Sequence, residues 1–190
     1  MIGYAFKEWA VICQALAEGR QSLILRKGGI AEEGGVFRPE HSRFWLFPTQ
    51  FHQQGEGIKP EALPLLKTAQ ANQPPVGSVR LSHFVEVTGA FFVPRLDIAE
   101  SLDRLHMWSA ETVQKRFVYR QPGLYVLAAR VFRAVQARDV MLRPADEGCK
   151  TWVELSEEPS DVGAMPVMDS RTYATFLDDL DALLHPRAFA

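Results

Sequence analysis

The feature that most constrains the fold is a nearly continuous apolar run at residues 124–135, with the sequence LYVLAARVFRAV. Pro122 and Gly123 predict a turn immediately before it. Both alternating sets of side chains are apolar until the arginines, which is typical of a strand at the centre of a sheet. The run is shorter than the roughly 18 apolar residues that a membrane-spanning helix needs. The sequence therefore predicts a sheet built around residues 124–135.

Shorter apolar runs along the chain predict the other strands of this sheet. Each is too short to form a helix of ordinary length, and several end at a turn residue or a proline. They lie at residues 22–26, 44–47, 79–87, 90–93, 140–142 and 151–155. Pro48 is expected to end the second of these strands, because proline cannot donate a hydrogen bond to a sheet.

Apolar residues at helical spacing predict the remaining elements. Near the N-terminus, four residues at three- and four-residue steps form one stripe over residues 4–18: Phe6, Trp9, Cys13 and Leu16. Further helices are predicted at 60–70, 98–105, 109–117 (with Ser109 as N-cap) and from Ser170 onward. The elements do not alternate regularly between strand and helix. We therefore predict an α+β fold, in which a mixed or antiparallel sheet carries N-terminal and C-terminal helices packed on it.

Residues 73–77, with the sequence QPPVG, are the best candidate for a linker. A chain of 190 residues fits one domain or two small ones. We therefore predict a single domain over residues 1–190. It could divide into two subdomains, 1–72 and 79–190, joined by this proline-rich linker.

Composition is typical of a soluble globular protein, with 47% hydrophobic and 23% charged residues. The N-terminus has no basic segment followed by an apolar one, so we expect no secretion signal. The two cysteines, Cys13 and Cys149, are too few for a disulfide framework or a four-thiolate zinc site, and Cys149 is expected to be a small buried residue. We expect a cytoplasmic protein that does not bind membranes.

Positive and negative charges are separated along the chain, although the net charge is only -2. Residues 104–143 carry a net charge of +6, and residues 146–181 carry -8. Such asymmetry is typical of a surface that faces nucleic acid beside an acidic tail. The alternative is that the two segments pack together and neutralise each other, which the near-neutral whole protein favours.

The sequence lacks the motifs of several common enzyme classes. It has neither a P-loop nor the glycine fingerprint of a dinucleotide-binding domain. It also lacks a Gly-x-Ser-x-Gly nucleophile elbow and a His-Glu-x-x-His zinc pair. An acidic-x-Lys signature, which a restriction-type nuclease core would carry, is missing as well. Function must therefore be sought in less standard arrangements of residues.

A cationic glycine turn follows the strand predicted at 22–26. Arg26 and Lys27 precede Gly28 and Gly29, whose small size lets backbone N–H groups approach an anion closely. Downstream of the long polar segment 27–43 lie groups suited to acid–base chemistry: Glu40, His41 and His52. If the flanking strands pair, these groups and Lys27 meet at one rim and become candidate catalytic residues. The alternative is an ordinary surface hairpin.

Glu40, His41 and His52 are also weak candidates for divalent metal ligands. Neighbouring residues on an extended segment point to opposite faces, so Glu40 and His41 would not both reach one ion there. Ligands of structural zinc sites usually lie closer together in the sequence. We therefore expect no metal site.

A second cluster, at residues 106–125, interleaves cations with aromatic residues. Phosphate contacts from Arg116, Arg120 and the later Arg130, together with stacking on aromatic rings, would suit a nucleic acid. Arg116 and Arg120 are four residues apart and could share a helix face. Three apolar residues of the cluster fit a buried core better than a binding surface: Trp108, Phe117 and Leu124.

Several motifs taken together resemble a known family. They are FKEWA at 6–10, LRKGGI at 25–30, EH at 40–41, FWLFPT at 44–49, HQQ at 52–54, HMWS at 106–109, RQPGLY at 120–125 and CKTWVEL at 149–155. On these residues the chain resembles the bacterial domain-of-unknown-function family 1802 over nearly its whole length to residue 155. Some members are joined to restriction-endonuclease-type domains. The resemblance therefore implies a role beside nucleic-acid cleavage.

Our leading hypothesis is a nucleic-acid-associated accessory protein of a restriction or defence type. It would contact phosphates through five cations: Arg26, Lys27, Arg116, Arg120 and Arg130. The alternative is an enzyme that binds a nucleotide or another phosphate-bearing small molecule through the Arg-Lys-Gly-Gly turn and the Glu/His rim. Both hypotheses require Lys27 and the downstream histidines to line one concave surface.

Overall fold

The structure is a computed structural model that describes residues 2–27, 40–50, 55–146, 148 and 150–186. In these residues seven strands form one sheet: β1 (Tyr4–Trp9), β2 (Leu23–Arg26), β3 (Arg43–Thr49), β4 (Ser78–Val93), β5 (Leu124–Met141), β6 (Trp152–Glu154) and β7 (Met165–Pro166). The α-helices are α1 (Ala10–Ala17), α2 (Leu63–Ala71), α3 (Leu96–Ser101), α4 (Ala110–Val118) and α5 (Ser170–Leu184). This is the predicted α+β fold.

The strands lie in the order β2-β5-β4-β3-β1-β6, and β7 pairs with β5 outside this path. β1 and β3 run parallel, whereas the other pairings in the described part of the chain are antiparallel. The sheet is therefore mixed. β5 pairs with β2 and β4 on its two sides, which confirms the central strand predicted from residues 124–135. It continues to Met141, so it also absorbs most of the strand predicted at 140–142.

The helix predicted over residues 4–18 is wrong in its first half. Tyr4–Trp9 form β1, which lies between β3 and β6, and only Ala10–Ala17 are α-helical. Phe6 and Trp9 have helical spacing, but hydrogen bonds to two strands distant in the sequence satisfy the extended backbone instead. As a result, Tyr4, Phe6 and Glu8 share one face of β1.

Other element boundaries differ less from the prediction. β3 continues through Pro48 to Thr49, and the strands predicted at 79–87 and 90–93 form the single strand β4, with a register shift between Val87 and Gly89. The helix predicted at 98–105 is α3 followed by a short 3-10 helix. Ser109 is confirmed as the N-cap of α4, because its side-chain oxygen accepts a hydrogen bond of 3.2 Å from the Thr112 N–H.

The sheet curls so that its two edges approach each other. At the end of β2, Arg26 Nη2 donates a hydrogen bond of 2.9 Å to Oγ1 of Thr151, which directly precedes β6. The larger core lies on the sheet face covered by helices and contains side chains from all five of them. Here α5 contributes Tyr173, Phe176 and Leu180, as expected for a packed C-terminal helix. A second, smaller cluster of buried residues contains Trp45, Leu81 and Phe84.

The proline-rich segment 73–77 connects α2 to β4. β3 precedes this segment and β4 follows it, and the two strands pair with each other. The division into two subdomains stays a prediction. None of the helices in the described ranges has both the length and the apolar character needed to cross a membrane.

Candidate functional site

Lys27, the centre of the predicted cationic turn, is bound to backbone carbonyls. Its Nζ donates to the carbonyl oxygen of Phe117 at 3.1 Å, to that of Gly123 at 2.8 Å and to that of Gln121. These carbonyls lie at the end of α4 and in the turn before β5, so the lysine joins three parts of the chain there. Partial burial lowers the pKa of Lys27. Gly28 and Gly29 lie outside the described residues.

Arg26 lies at the point where the two edges of the sheet meet. Besides its hydrogen bond to Thr151, its guanidinium carbon lies 4.9 Å from the ring centroid of Phe6. Phe6 is fully buried in β1 and packs against Trp152 of β6, with 5.0 Å between ring centroids. Arg26 thus covers one end of an aromatic cluster with its planar cation, which is a favourable cation–π arrangement.

His41 belongs to the same cluster. Its ring stacks on Tyr4 with centroids 3.6 Å apart and planes inclined by 13°, and it meets the Trp152 ring edge-on at 5.0 Å. Tyr4, His41 and Trp152 are each half-buried. Glu40 is exposed, and His52 lies outside the described residues. The structure therefore brings Arg26 and His41 to one aromatic cluster, whereas Lys27 Nζ is directed to the end of α4.

A second arginine lies among two further tryptophans. The guanidinium carbon of Arg116, on α4, lies 3.7 Å from the ring centroid of Trp108, and Nη1 donates 3.2 Å to the Leu25 carbonyl of β2. Trp108 meets Trp9 edge-on, with 4.8 Å between their centroids. Burial lowers the pKa of Arg116 to about 10, with Glu8 opposing this shift and Arg26 adding to it.

These contacts define an aromatic–arginine row of eight residues: Tyr4, Phe6, Trp9, Arg26, His41, Trp108, Arg116 and Trp152. β2 connects its two halves, because Arg26 ends this strand and Arg116 hydrogen-bonds to Leu25 within it. Phe6 and Trp108 are buried, and the other members are half-buried. The row can therefore offer both ring faces and cations to a ligand.

Glu8 is the functional candidate that sequence reasoning missed. Its side chain is only 2% exposed, and Oε1 accepts a hydrogen bond of 2.7 Å from the Trp9 N–H. Oε2 has no hydrogen-bond partner in the part of the chain that the structure describes. In a helix over residues 4–18, Glu8 would face away from the apolar stripe, whereas in β1 it shares a face with Tyr4 and Phe6. Glu8 could have been identified from the sequence only if residues 4–9 had been recognised as a strand.

The other two predicted phosphate ligands contact residues that do not belong to the row. Arg120 is exposed, with its guanidinium 5.2 Å from the Tyr119 ring, and its φ of 61° places it in the left-handed region. Arg130 packs on α5, where Nη2 donates 3.0 Å to the Ser170 hydroxyl and the guanidinium lies 5.2 Å from the Tyr173 ring. The interpretation of Trp108, Phe117 and Leu124 as core residues is confirmed, since all three are buried.

The basic segment 104–143 is partly neutralised by the acidic segment 146–181. Three ion pairs join them: Arg104 with Asp179 at 3.2 Å, Arg143 with Asp146 at 2.8 Å, and Arg138 with Glu157. Within the described residues, no three His, Cys, Asp or Glu side chains are grouped closely enough to hold a metal ion. His52 and Cys149 fall outside that set.

Comparison with known proteins supports the resemblance seen in the sequence. The family model described as "Domain of unknown function (DUF1802)" matches residues 5–179. The chain belongs to this family. Search of curated proteins finds no match to this member of DUF1802.

The chain is similar to solved structures of ASCH from Zymomonas mobilis. The crystal structure of ASCH is 14% identical, has a TM-score of 0.48, and aligns over 81% of this chain and 87% of the ASCH chain. A single-residue mutant of the same protein is 14% identical with a TM-score of 0.46, over 81% and 90% of the two chains.

Proposed function

We propose that this protein binds single-stranded nucleic acid along the aromatic–arginine row. The observation that carries the proposal is that half-buried rings and a guanidinium belong to one contact network. His41 and Trp152 lie 5.0 Å apart, and Trp152 and Arg26 both contact Phe6. A single strand presents base faces and phosphates together, and this network offers a counterpart to each.

The energetics of such a surface favour a single strand over a duplex. Stacking of a base on an aromatic side chain contributes about 1–3 kcal/mol, and it needs bases that are not already stacked inside a duplex. The planar guanidinium of Arg26 suits a phosphate because it offers several donors in a fixed fork. The stacked His41 and Tyr4 rings make a rigid platform at the other end of the cluster.

The charge distribution supports the same location. Arg116 lies close enough to Arg26 and to the buried carboxylate of Glu8 for both charges to act on its pKa. In contrast, Arg104, Arg138 and Arg143 are paired with the acidic segment. In the row, Arg26 and Arg116 place positive charge beside the aromatic rings, where it can attract phosphates.

Fluorescence anisotropy with a labelled oligonucleotide of about 12 nucleotides tests the proposal, since single-strand sites span roughly 4–16 nucleotides. We expect RNA or DNA single strands to bind at low salt, and a duplex of the same sequence to bind less well. Affinity should fall as salt rises, because bound phosphates release counterions. Absence of binding at tens of micromolar protein would overturn the proposal.

Matched variants locate the site. Arg26→Gln and His41→Ala should each weaken binding by roughly five- to tenfold, the loss of about 1 kcal/mol expected for one ionic or stacking contact. Arg138→Gln and His185→Ala are the controls, because each alters an exposed side chain outside the row, paired with Glu157 and Asp181 respectively. Equal losses in the controls would place binding elsewhere.

An enzyme that binds a mononucleotide or a small phosphate at the same site is the alternative. One observation favours it: His41 contacts Trp152, Arg26 contacts Phe6, and these two rings pack against each other. An imidazole, which can act as an acid or a base, thus lies in the same cluster as a cation able to bind phosphate. Thermal shifts with nucleotides and sugar phosphates test it, since a ligand at 100 times its Kd stabilises a protein by about 2.7 kcal/mol. Shifts lost in His41→Ala, without oligonucleotide binding, would favour the enzyme.

An accessory role in restriction or defence is the finer form of the leading proposal, and it rests on the family resemblance. Its test is biological: bacteriophage plating efficiency on cells that express the intact chain, compared with cells expressing Arg26→Gln. Protection that depends on Arg26 would support the role. Equal plating on both strains and on cells without the protein would contradict it.

A further inference from the structure

A cleft of about 480 Å³ opens beside the proline-rich segment, and it shares no residue with the aromatic–arginine row. It is bounded by α1, the ends of β3 and α2, residues 72–77 and the first part of β4. Small-molecule sites in proteins typically have volumes of roughly 300–1,000 Å³. The cleft is therefore large enough to hold a small organic ligand.

Part of the lining of this cleft is aliphatic. Side chains from three elements and the proline-rich segment supply it: Ala10, Ala17, Leu46, Pro48, Pro74 and Val79. The described lining contains no aromatic ring other than the imidazole of His83. Such a surface favours the apolar body of a ligand through burial, and it lacks the stacking platforms of the row.

The charged side chains in the described lining are all positive. The lining includes two arginines, Arg80 and Arg133, and no carboxylate among the described residues. Asp139 holds Arg80 through two hydrogen bonds of 2.7 Å. The exposed Arg133 side chain has no hydrogen-bond or ion-pair partner within the described ranges. Its guanidinium is thus available to an anion.

His83 and Ser82 lie beside Arg133. His83 pairs with Arg133 in the β4–β5 ladder, and its Nδ1 lies 2.9 Å from the Ser82 hydroxyl oxygen. Burial and the neighbouring Arg133 lower the pKa of His83 to about 4, so the ring is neutral at pH 7. A neutral imidazole and a hydroxyl can exchange hydrogen bonds with a ligand head group without adding charge.

We propose that this cleft binds a small organic anion whose apolar body lies on the aliphatic side chains of the lining and whose charged group, a carboxylate or a phosphate ester, pairs with Arg133. The site is independent of the proposed nucleic-acid function. Three features carry it together: a partly aliphatic cleft of suitable volume, a described lining without carboxylates, and an unpaired cation at its side.

Titration with anilinonaphthalene sulfonate, a fluorescent anion with an apolar body, tests this proposal. Its uncharged analogue phenylnaphthylamine separates the two contributions. We expect one molar equivalent of the sulfonate to bind, and Arg133→Gln to weaken its binding about three- to tenfold while phenylnaphthylamine binding stays unchanged. Ala17→Phe, which places a ring in the cleft, should weaken both probes. Arg95→Gln, an exposed arginine outside the cleft, is the matched control and should change neither.

Other outcomes of the same titrations would contradict the proposal. Sulfonate binding that survives Ala17→Phe, or that falls equally with Arg95→Gln and Arg133→Gln, would overturn the proposal. Displacement of the probe by hexanoate or by hexyl phosphate then identifies the head group. Displacement by neither would also overturn it, because the cleft would then select no anion of the proposed chemistry.

Discussion

Arg116 in the aromatic–arginine row and Arg133 beside the cleft are the same residue type in contrasting surroundings. Arg116 lies 3.7 Å above the Trp108 ring and donates to the Leu25 carbonyl. Arg133 is exposed and has neither kind of contact within the described residues. The first cation helps to hold α4 on β2, whereas the second remains free for a ligand.

The two regions also differ in what their side chains rest on. The row is built directly on the large core, since Phe6 and Trp108 belong to it. The cleft lining also includes two residues of this core, Cys13 and Leu46, but Val76 and Arg133 in that lining are exposed. A substitution in the row is therefore expected to change stability and binding together, and one at an exposed position of the cleft, such as Val76 or Arg133, to change binding alone. The following predictions test this difference.

Trp108→Ala should have the largest effect. Trp108 is fully buried and supports both Trp9 and Arg116. We expect a loss of about 3–5 kcal/mol in the free energy of unfolding, the usual cost of truncating a buried aromatic residue. Denaturant unfolding measures it. Val76→Ala, at an exposed position of the cleft, is the control and should stay within about 0.5 kcal/mol. A similar loss of stability in both variants would contradict the expected difference between the row and the cleft.

Acid should destabilise the protein through one histidine in each region. Burial lowers the pKa of His106, which precedes Trp108 by two residues, and of the cleft residue His83 from 6.5 to about 4. Positive neighbours contribute to these values in addition to burial: Lys59 and Arg116 for His106, where Asp103 opposes them, and Arg133 for His83. Between these pH values the unfolded chain binds more protons than the folded protein, so stability is complete above about pH 6.5 and falls toward pH 4.

Each histidine should contribute about 3 kcal/mol to this pH dependence, since one pKa unit corresponds to about 1.4 kcal/mol. Urea unfolding across that pH range, repeated with His83→Asn and with His106→Asn, separates the two shares. His185→Asn is the control, because this histidine is exposed at the end of α5. A pH slope that persists in the double variant would show that other groups cause it.

Lys27→Met should have an intermediate effect. It removes the donor shared by the carbonyls of Phe117, Gln121 and Gly123. Leaving partly buried acceptors without a donor costs about 1–3 kcal/mol. Lys67→Met, at an exposed position of α2, is the control. Hydrogen exchange should show faster opening of the end of α4 in Lys27→Met alone. Equal stability of the two variants would mean that the lysine contacts are dispensable.

The smallest effects on stability are expected for substitutions of the two arginines compared above, Arg116 and Arg133. Arg116→Gln should cost about 1–2 kcal/mol, because it loses a cation–π contact and a hydrogen bond. Arg133→Gln should change the free energy of unfolding by less than about 0.5 kcal/mol. Thermal unfolding of the two variants measures the difference. If Arg133→Gln proved as destabilising as Arg116→Gln, Arg133 would have a structural role and the proposed anion site would lose its free cation.

The parts of the fold that local patterns encode were predictable. The apolar run at 124–135 gave the central strand, and Ser109 gave the start of α4, because both signals depend on residues within a few positions. The first element was not predictable in this way. Tyr4–Trp9 are extended because β3 and β6 flank them, and β6 lies at residues Trp152–Glu154, far along the chain.

The same distinction between local patterns and long-range contacts applies to the candidate site. Sequence reasoning selected Arg26, His41 and Arg116, and the structure brings them to one row. Sequence reasoning also gave Lys27 a ligand-binding role. In the structure, Lys27 Nζ instead donates to carbonyls 90, 94 and 96 residues away in the sequence. The roles of Arg120, Arg130, Glu40, Gly28, Gly29 and His52 stay predictions.

By itself, the sequence determined the fold class, the central strand and the residue types able to bind phosphate and bases. Only the tertiary structure decided which of these residues meet. The curl of the sheet joins β2 to the segment before β6, and it places Glu8 among arginines and Arg133 at the side of a cleft. The physical reason is that hydrogen-bonded strand pairing and burial act between residues distant in the chain, where local spacing carries no information.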